Sequence, residues 1–165
     1  MNKIKVLFVC VHNSARSQMA EAFLNEKAGD IFEAASAGLE LGALNQLVVT
    51  AMANVGIDIS LNETKSVLEL FKKGVRFDYI ISVCDEVNGE KCPIFPGITK
   101  RLHWSIPDPA VFRGAYKDRL QKTRQVRDTI EIKIKEFIKE LINQDIVHIT
   151  SRKEGSANIA GTVMA

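Results

Sequence analysis

Residues 6–9, Val-Leu-Phe-Val, follow one another with no polar interruption, between Lys5 and Cys10. A strand exposed on one face alternates apolar and polar residues. An unbroken apolar run of strand length is buried on both faces, as in parallel sheets covered by helices on each side. The run gives way at once to His12-Asn13-Ser14 and then to Ala15–Ala28, where Met19, Ala22, Phe23 and Glu26 recur at helical spacing before Gly29 as a stop. Strand over Lys3–Cys10, polar loop and helix together open a β-α-β unit.

The alternation continues. Phe32–Ala37 reads as a strand ending at Gly38, and Asn45–Val55 as a helix with Leu47, Val48, Ala51 and Val55 on one face. Glu63–Phe71 reads as a further helix, Phe77–Val83 as a buried strand and Lys100–Trp104 as a fourth, with Cys84–Gly97 between them as a loop holding Pro93 and Pro96. The last long helix is expected over Tyr116–Ile142, with Val126, Ile130, Phe137, Ile138 and Leu141 as its apolar stripe and Glu131 paired with Lys135 on the outer side. Beyond Asn143 the pattern decays. Ile146–Ile149 would suit a short strand, and residues 144–165 are expected to form a mobile tail. The expectation is one three-layer α/β domain over residues 1–143, an about four-stranded parallel sheet with helices on both faces.

Composition removes several functional classes. Apolar residues at 46% and charged residues at 25% suit a globular core and exclude a disordered chain. Basic and acidic residues number 22 and 20, a formal charge of +2 with no dense basic block, so neither nucleic acid nor an anionic membrane is an expected partner. The apolar run Val6–Val11 is far short of the ~20 residues that cross a bilayer, and no cleavage-like site follows it. The expected compartment is the cytoplasm, the expected state a monomer. Thiols stay reduced in that compartment, so the three cysteines point to chemistry rather than scaffolding.

Cys10 ends the first strand, and Arg16 follows after five residues, Val-His-Asn-Ser-Ala, with Ser17 next. In a loop that opens a helix, the backbone N–H groups of Val11, His12, Asn13, Ser14, Ala15 and Arg16 can curl around a tetrahedral oxyanion. Arg16 adds a planar, permanently charged fork that grips two oxygens. The same field favours a thiolate, so the Cys10 pKa is expected below the free value of ~8.5, with Ser17 as a hydrogen-bond donor to the sulfur. Asn13 tolerates the unusual backbone angle a tight loop needs. The plain alternative makes Cys10 a buried strand residue and Arg16 a solvated helix cation.

At Cys10–Ser17, with Gln18-Met19-Ala20-Glu21, Ser36-Ala37-Gly38 and Trp104 ahead of Asp108-Pro109-Ala110, the sequence resembles the low-molecular-weight tyrosine phosphatases and the arsenate reductases that share their fold. The match is nearest to the thioredoxin-coupled reductases and extends over nearly all of Ile4–Leu141. Position 12 is His and position 15 Ala, where many relatives carry Gly and Cys; neither supplies the nucleophile. The resemblance implies no bound cofactor, with thioredoxin as electron donor and arsenate as substrate, which phosphate or sulfate would mimic. Some relatives hold a potassium ion at positions matching Asn13, Glu21, Ser36 and Thr64. Here the remaining carboxylate position is Ser66, with Lys65 beside it, so a lysine ammonium is the expected substitute and no metal is expected.

Cys84 and Cys92 enclose seven residues, too many for a compact redox pair or a usual zinc knuckle. A flexible loop with Asn88-Gly89 as a turn can still bring the thiols together. Alone they read equally well as incidental thiols. The resemblance implies a relay: Cys10 attacks arsenate, Cys84 attacks Cys10 and releases arsenite, and Cys92 moves the disulfide to Cys84–Cys92 for thioredoxin to reduce. Asp108, with a proline on each side, is stiff enough to hold a proton donor, although Asp-Pro alone is more often a turn. The resemblance carries the general acid to it.

The main competing expectation is a phosphomonoester hydrolase using Cys10, Arg16 and Asp108. Phosphotyrosine enzymes of this type carry an aromatic pair after the Asp-Pro loop, and Phe112 and Tyr116, separated by Arg113-Gly114-Ala115, match that poorly. A thiol sensor or metal-binding module would leave Arg16 and Asp108 without purpose. Among the histidines, His12 is taken as a bystander and His103 as strand-edge packing.

Overall fold

The computed structural model describes residues 2–85 and 99–162, with side chains as far as residue 145. Strand β1 (Ile4–Cys10) leads into α1 (Arg16–Ala28), β2 (Phe32–Gly38), α2 (Gln46–Ala53), α3 (Val67–Lys72), β3 (Tyr79–Cys84), β4 (Lys100–Ser105), a 3-10 turn at Pro109–Val111 and α4 (Tyr116–Thr162). The strands form one sheet in the order β2-β1-β3-β4, every pair parallel. This is the α/β sheet expected from the apolar run, whose Val6–Val9 are fully buried on one of the two inner strands of the sheet.

Connections run from β1 outward to β2 and then back across β1 to β3, so right-handed crossovers put α1 and α3 on opposite faces. One face carries Leu7, Val9, Ala37 and Ile80 beneath Val67 and Leu70 of α3. Phe8 lies on the other, its ring 5.7 Å from that of Trp104. Strand β4 closes the sheet as a polar edge where Trp104 alone of Lys100–Ser105 is buried, Lys100 and Arg101 protecting that edge from further pairing. Arg127 of α4 donates from Nη1 to Ala51 O (2.8 Å) and so caps the last turn of α2.

Some boundaries differ from those expected. On α1, Leu24 is buried, Ala22 half-buried and Glu26 exposed, because a carboxylate stays in water when no partner meets it inside. Val55 lies beyond the end of α2 and is exposed; Met52 takes its place in the core. Helix α3 starts only at Val67, because Glu63–Lys65 spend their backbone groups on other partners described below. Residues 146–149 are helical rather than a strand: no proline follows Pro109, and α4 runs on without interruption to Thr162. The chain divides into two compact units, Met1–Ile132 and Lys133–Ala165, the second formed by the distal part of α4. Among the described residues no helix is long and apolar enough to cross a membrane.

Candidate active site

The carboxyl end of β1 delivers Cys10, and the five residues that follow turn tightly before Arg16 opens α1. An extended segment after β2 shapes the turn by holding its carbonyls. Leu39 N–H donates to Cys10 O (3.4 Å), Glu40 N–H to Val11 O (2.9 Å), Gly42 N–H to His12 O (3.2 Å) and Asn45 N–H to Ser14 O (2.9 Å). In a trans peptide the following N–H points the opposite way. The amides of Val11, His12, Asn13 and Ala15 are thereby turned away from that segment, and the Asn13 N–H reaches Cys10 Sγ at 3.2 Å. Asn13 adopts φ 55°, the left-handed region that asparagine tolerates better than most residues. Gly38 lies against the turn so closely that a Cβ there would stand 2.7 Å from Asn13 N and His12 C.

The sulfur of Cys10 is buried and lies 2.9 Å from Ser17 Oγ, which in turn accepts from Asn13 Nδ2 (2.8 Å). The Arg16 side chain is only 3% exposed. Its Nη1 donates to Ile106 O (3.1 Å) and its Nη2 lies 3.5 Å from Asp108 Oδ2. Asp108 accepts from Ala110 N–H (3.0 Å), capping the 3-10 turn, so its carboxyl is fixed at both oxygens beside the guanidinium. A buried cation next to a backbone-lined turn is a strong attractor for an anion, since little water screens it. Cys10, Asn13, Arg16, Ser17 and Asp108 therefore come together.

Cys84 ends β3, the strand beside β1, and neither it nor Cys10 is in a disulfide. The register pairs Val9 with Ser82, so one further rung sets Cys10 opposite Val83 and Cys84 one residue beyond. Alternation then gives Cys84 the face of Ile80 and Ser82, whereas Cys10 shares that of Phe8 and Ile81. Cys84 is fully buried, and its carbonyl accepts from Ile106 N–H (3.2 Å). Cys92 lies outside the described residues. His12 is half-exposed, its Nδ1 3.9 Å from Glu40 Oε2. His103 meets Ser82 Oγ at 2.8 Å on the sheet edge.

Of the positions where some relatives hold potassium, Asn13, Glu21 and Ser36 lie together with Lys65. Asn13 Oδ1 accepts from Lys65 N–H (2.9 Å) and Gln18 Nε2 (3.1 Å), while Glu21 accepts from Ser36 Oγ (2.7 Å) and lies 3.5 Å from Lys65 Nζ. Among the described residues no cluster of three or more His, Cys, Asp or Glu could hold a metal. A cavity of about 380 Å³ flanks the Asp108 turn, lined by Asn45, Leu47, Pro109, Tyr116 and Arg119 among others. The segment Leu39–Asn45, the Ile106 backbone and Gln18 were not foreseen as parts of the site. Gly38, a glycine at a strand end beside the Cys10–Arg16 turn, was the one local signal in the sequence that pointed to such close packing.

The model of the family described as low molecular weight phosphotyrosine protein phosphatase matches residues 5–147. Arsenate reductases of Shouchella clausii and Bacillus subtilis are each 39% identical, over 83% and 82% of this chain and 96% and 95% of theirs. Among solved structures, the arsenate reductase of Archaeoglobus fulgidus is similar with a TM-score of 0.66 and 33% identity, covering 81% of this chain and 98% of that one. The thioredoxin-dependent arsenate reductase of Corynebacterium glutamicum gives 0.63 and 28%, over 86% of this chain and 63% of its own.

Proposed function

The chain belongs to the low molecular weight phosphotyrosine protein phosphatase family, and from that membership we propose that it works as a thioredoxin-coupled arsenate reductase. The observation that carries this reading over simple phosphate-ester hydrolysis is the second thiol. Cys84 ends the strand next to the one that delivers Cys10, at the same carboxyl edge of the sheet. A hydrolase has no use for it; a reductase needs a thiol within reach of the first.

In the first step the Cys10 thiolate attacks arsenic, a sulfur–arsenic bond forms, and an oxygen leaves as water with a proton from Asp108. Inward amides of Val11–Ala15 and the Arg16 fork hold the remaining oxygens and neutralise their charge. Cys84 thiolate then attacks Cys10 Sγ. The sulfur–sulfur bond forms as the sulfur–arsenic bond breaks, its electron pair stays on arsenic, and arsenite departs. Cys92 attacks Cys84 and frees Cys10, and a dithiol of thioredoxin reduces the Cys84–Cys92 disulfide, so two electrons enter per turnover. No bound cofactor enters this scheme. Cys84 starts buried on the opposite face, so the second step requires the end of β3 to leave its place beside Ile106.

The protein acts as a monomer in the reducing cytoplasm, and phosphate and sulfate compete with arsenate through the same tetrahedral shape. Replacement of Cys84 or Cys92 by Ser should abolish multiple turnover with thioredoxin while oxyanion binding survives. Sustained turnover in either variant would overturn the relay.

A further inference from the structure

Gln18, in the first turn of α1, is completely buried although it is polar, and every hydrogen-bonding group of its side chain is engaged. Its Nε2 lies 3.1 Å from three acceptors, Asn13 O, Asn13 Oδ1 and Glu63 O, so both amide hydrogens are committed. Its Oε1 accepts from Asn62 Nδ2 (3.2 Å). A buried carboxamide so held has one orientation.

The consequence reaches Cys10 by counting hydrogens. Lys65 supplies a backbone N–H to Asn13 at 2.9 Å, and a backbone N–H can only donate, so the atom it meets must be the oxygen Oδ1. Gln18 Nε2 occupies the second acceptor position of that oxygen. The other end of the Asn13 carboxamide is therefore NH2, and it donates to Ser17 Oγ. Ser17 Oγ thus accepts from Asn13 and its own hydrogen is not drawn off to that side chain, so it is available to a thiolate at Cys10 Sγ, 2.9 Å away. Gln18 acts on this chain twice, directly at Asn13 Oδ1 and by tying Asn62 and Glu63, which lead into Lys65. By holding Asn13 O it also sets the Asn13–Ser14 peptide, whose N–H points the opposite way.

We infer that Gln18 is a positioning residue that fixes the Asn13 carboxamide so that the Ser17 hydroxyl donates to the Cys10 thiolate. It touches no substrate; together with the Lys65 N–H it holds Asn13, and through Asn13 it acts on the Ser17–Cys10 hydrogen bond. The inference takes Cys10 as nucleophile, as the proposed function does, but its test needs no arsenate, so failure of one leaves the other standing.

The test is the pH profile of iodoacetamide alkylation at Cys10, read on the Cys10 peptide. Gln18→Met keeps length and apolar bulk but neither donates nor accepts as an amide does. Its alkylation midpoint should rise by about one pH unit against wild type, the scale of one lost charge-assisted hydrogen bond. In a Ser17→Ala background the same substitution should move the midpoint little further, because its effect passes through Ser17. A purely structural role would add equally in both backgrounds. Should Gln18→Met fail to fold, Gln18→Asn keeps the amide one methylene short of Asn13 and should shift the profile in the same direction. A wild-type profile, or a shift of equal size without Ser17, overturns the inference.

Discussion

Gly38→Ala places one methyl group where the Cys10–Arg16 turn lies against β2. Two opposing effects set the outcome. Alanine restricts the unfolded chain more than glycine, which by itself stabilises the folded protein by about 0.4–1 kcal/mol when the backbone angles suit it. Gly38 is not among the positive-φ positions, so this gain applies. Against it, the new Cβ would stand 2.7 Å from Asn13 N, 2.7 Å from His12 C and 2.9 Å from Val11 O, all backbone atoms that no rotamer change can move aside. Contacts become comfortable near 3.5 Å, so the turn must retreat by roughly 0.8 Å, the difference from 2.7 Å. Overpacking of this kind costs about 1–3 kcal/mol, which outweighs the entropic gain. In the proposed mechanism the displaced atoms carry the amides that hold the oxyanion, and a misplacement of about 1 Å at a reacting centre lowers rates on the order of 100-fold. Urea unfolding should therefore report a net loss of about 1–2 kcal/mol, and arsenate turnover should fall on the order of 100-fold with Cys10 still present. A variant as stable and as active as wild type would refute the view that Gly38 is there to let the turn approach.

Asp108→Asn retains the cap on the 3-10 turn but cannot deliver a proton, so formation of the Cys10 adduct should slow by about 10²- to 10⁴-fold in single-turnover quench experiments while phosphate still binds; wild-type rates would remove Asp108 as the acid. Arg127→Met strips a buried hydrogen bond from Ala51 O and should lower stability in urea by about 1–3 kcal/mol without altering turnover. An unchanged urea midpoint would deny the α2–α4 clamp. Removal of residues 144–165 should leave arsenate turnover unchanged, since relatives that align over 83% of this chain are covered over 96% of their own length; a large loss would place part of the catalytic machinery in that segment.

The parallel sheet was legible because Val6–Val9 leave no face for water, and the tight turn after it because Cys10, Arg16 and Ser17 stand where a buried strand hands over to a helix. Asn13 was legible as well: few residues other than glycine accept φ 55° at low cost. What sequence spacing could not reveal is the set of contacts made across the sheet edge. The amides of Leu39–Asn45 orient the turn through bonds to its carbonyls, and backbone groups leave no mark on residue choice. Gln18 looked like an ordinary helix residue, because its four partners come from Asn13 and from Asn62–Glu63, and the latter pair is distant in sequence. The late start of α3 has the same origin: Glu63 and Lys65 favour helix, but Gln18, Asn13 and Gly38 claim their backbone groups first. Periodicity likewise ended α4 near Ile142, although only an apolar stripe had ended there, with no residue to stop the helix.

The most direct test of the central claim is NADPH oxidation by the purified protein with thioredoxin and thioredoxin reductase, started by adding arsenate. The account predicts arsenate-dependent oxidation with stoichiometric arsenite that disappears in Cys10→Ser, Cys84→Ser and Cys92→Ser alike. No oxidation, together with brisk hydrolysis of an aryl phosphate that needs Cys10 but not Cys84, would contradict it and make the protein a phosphatase.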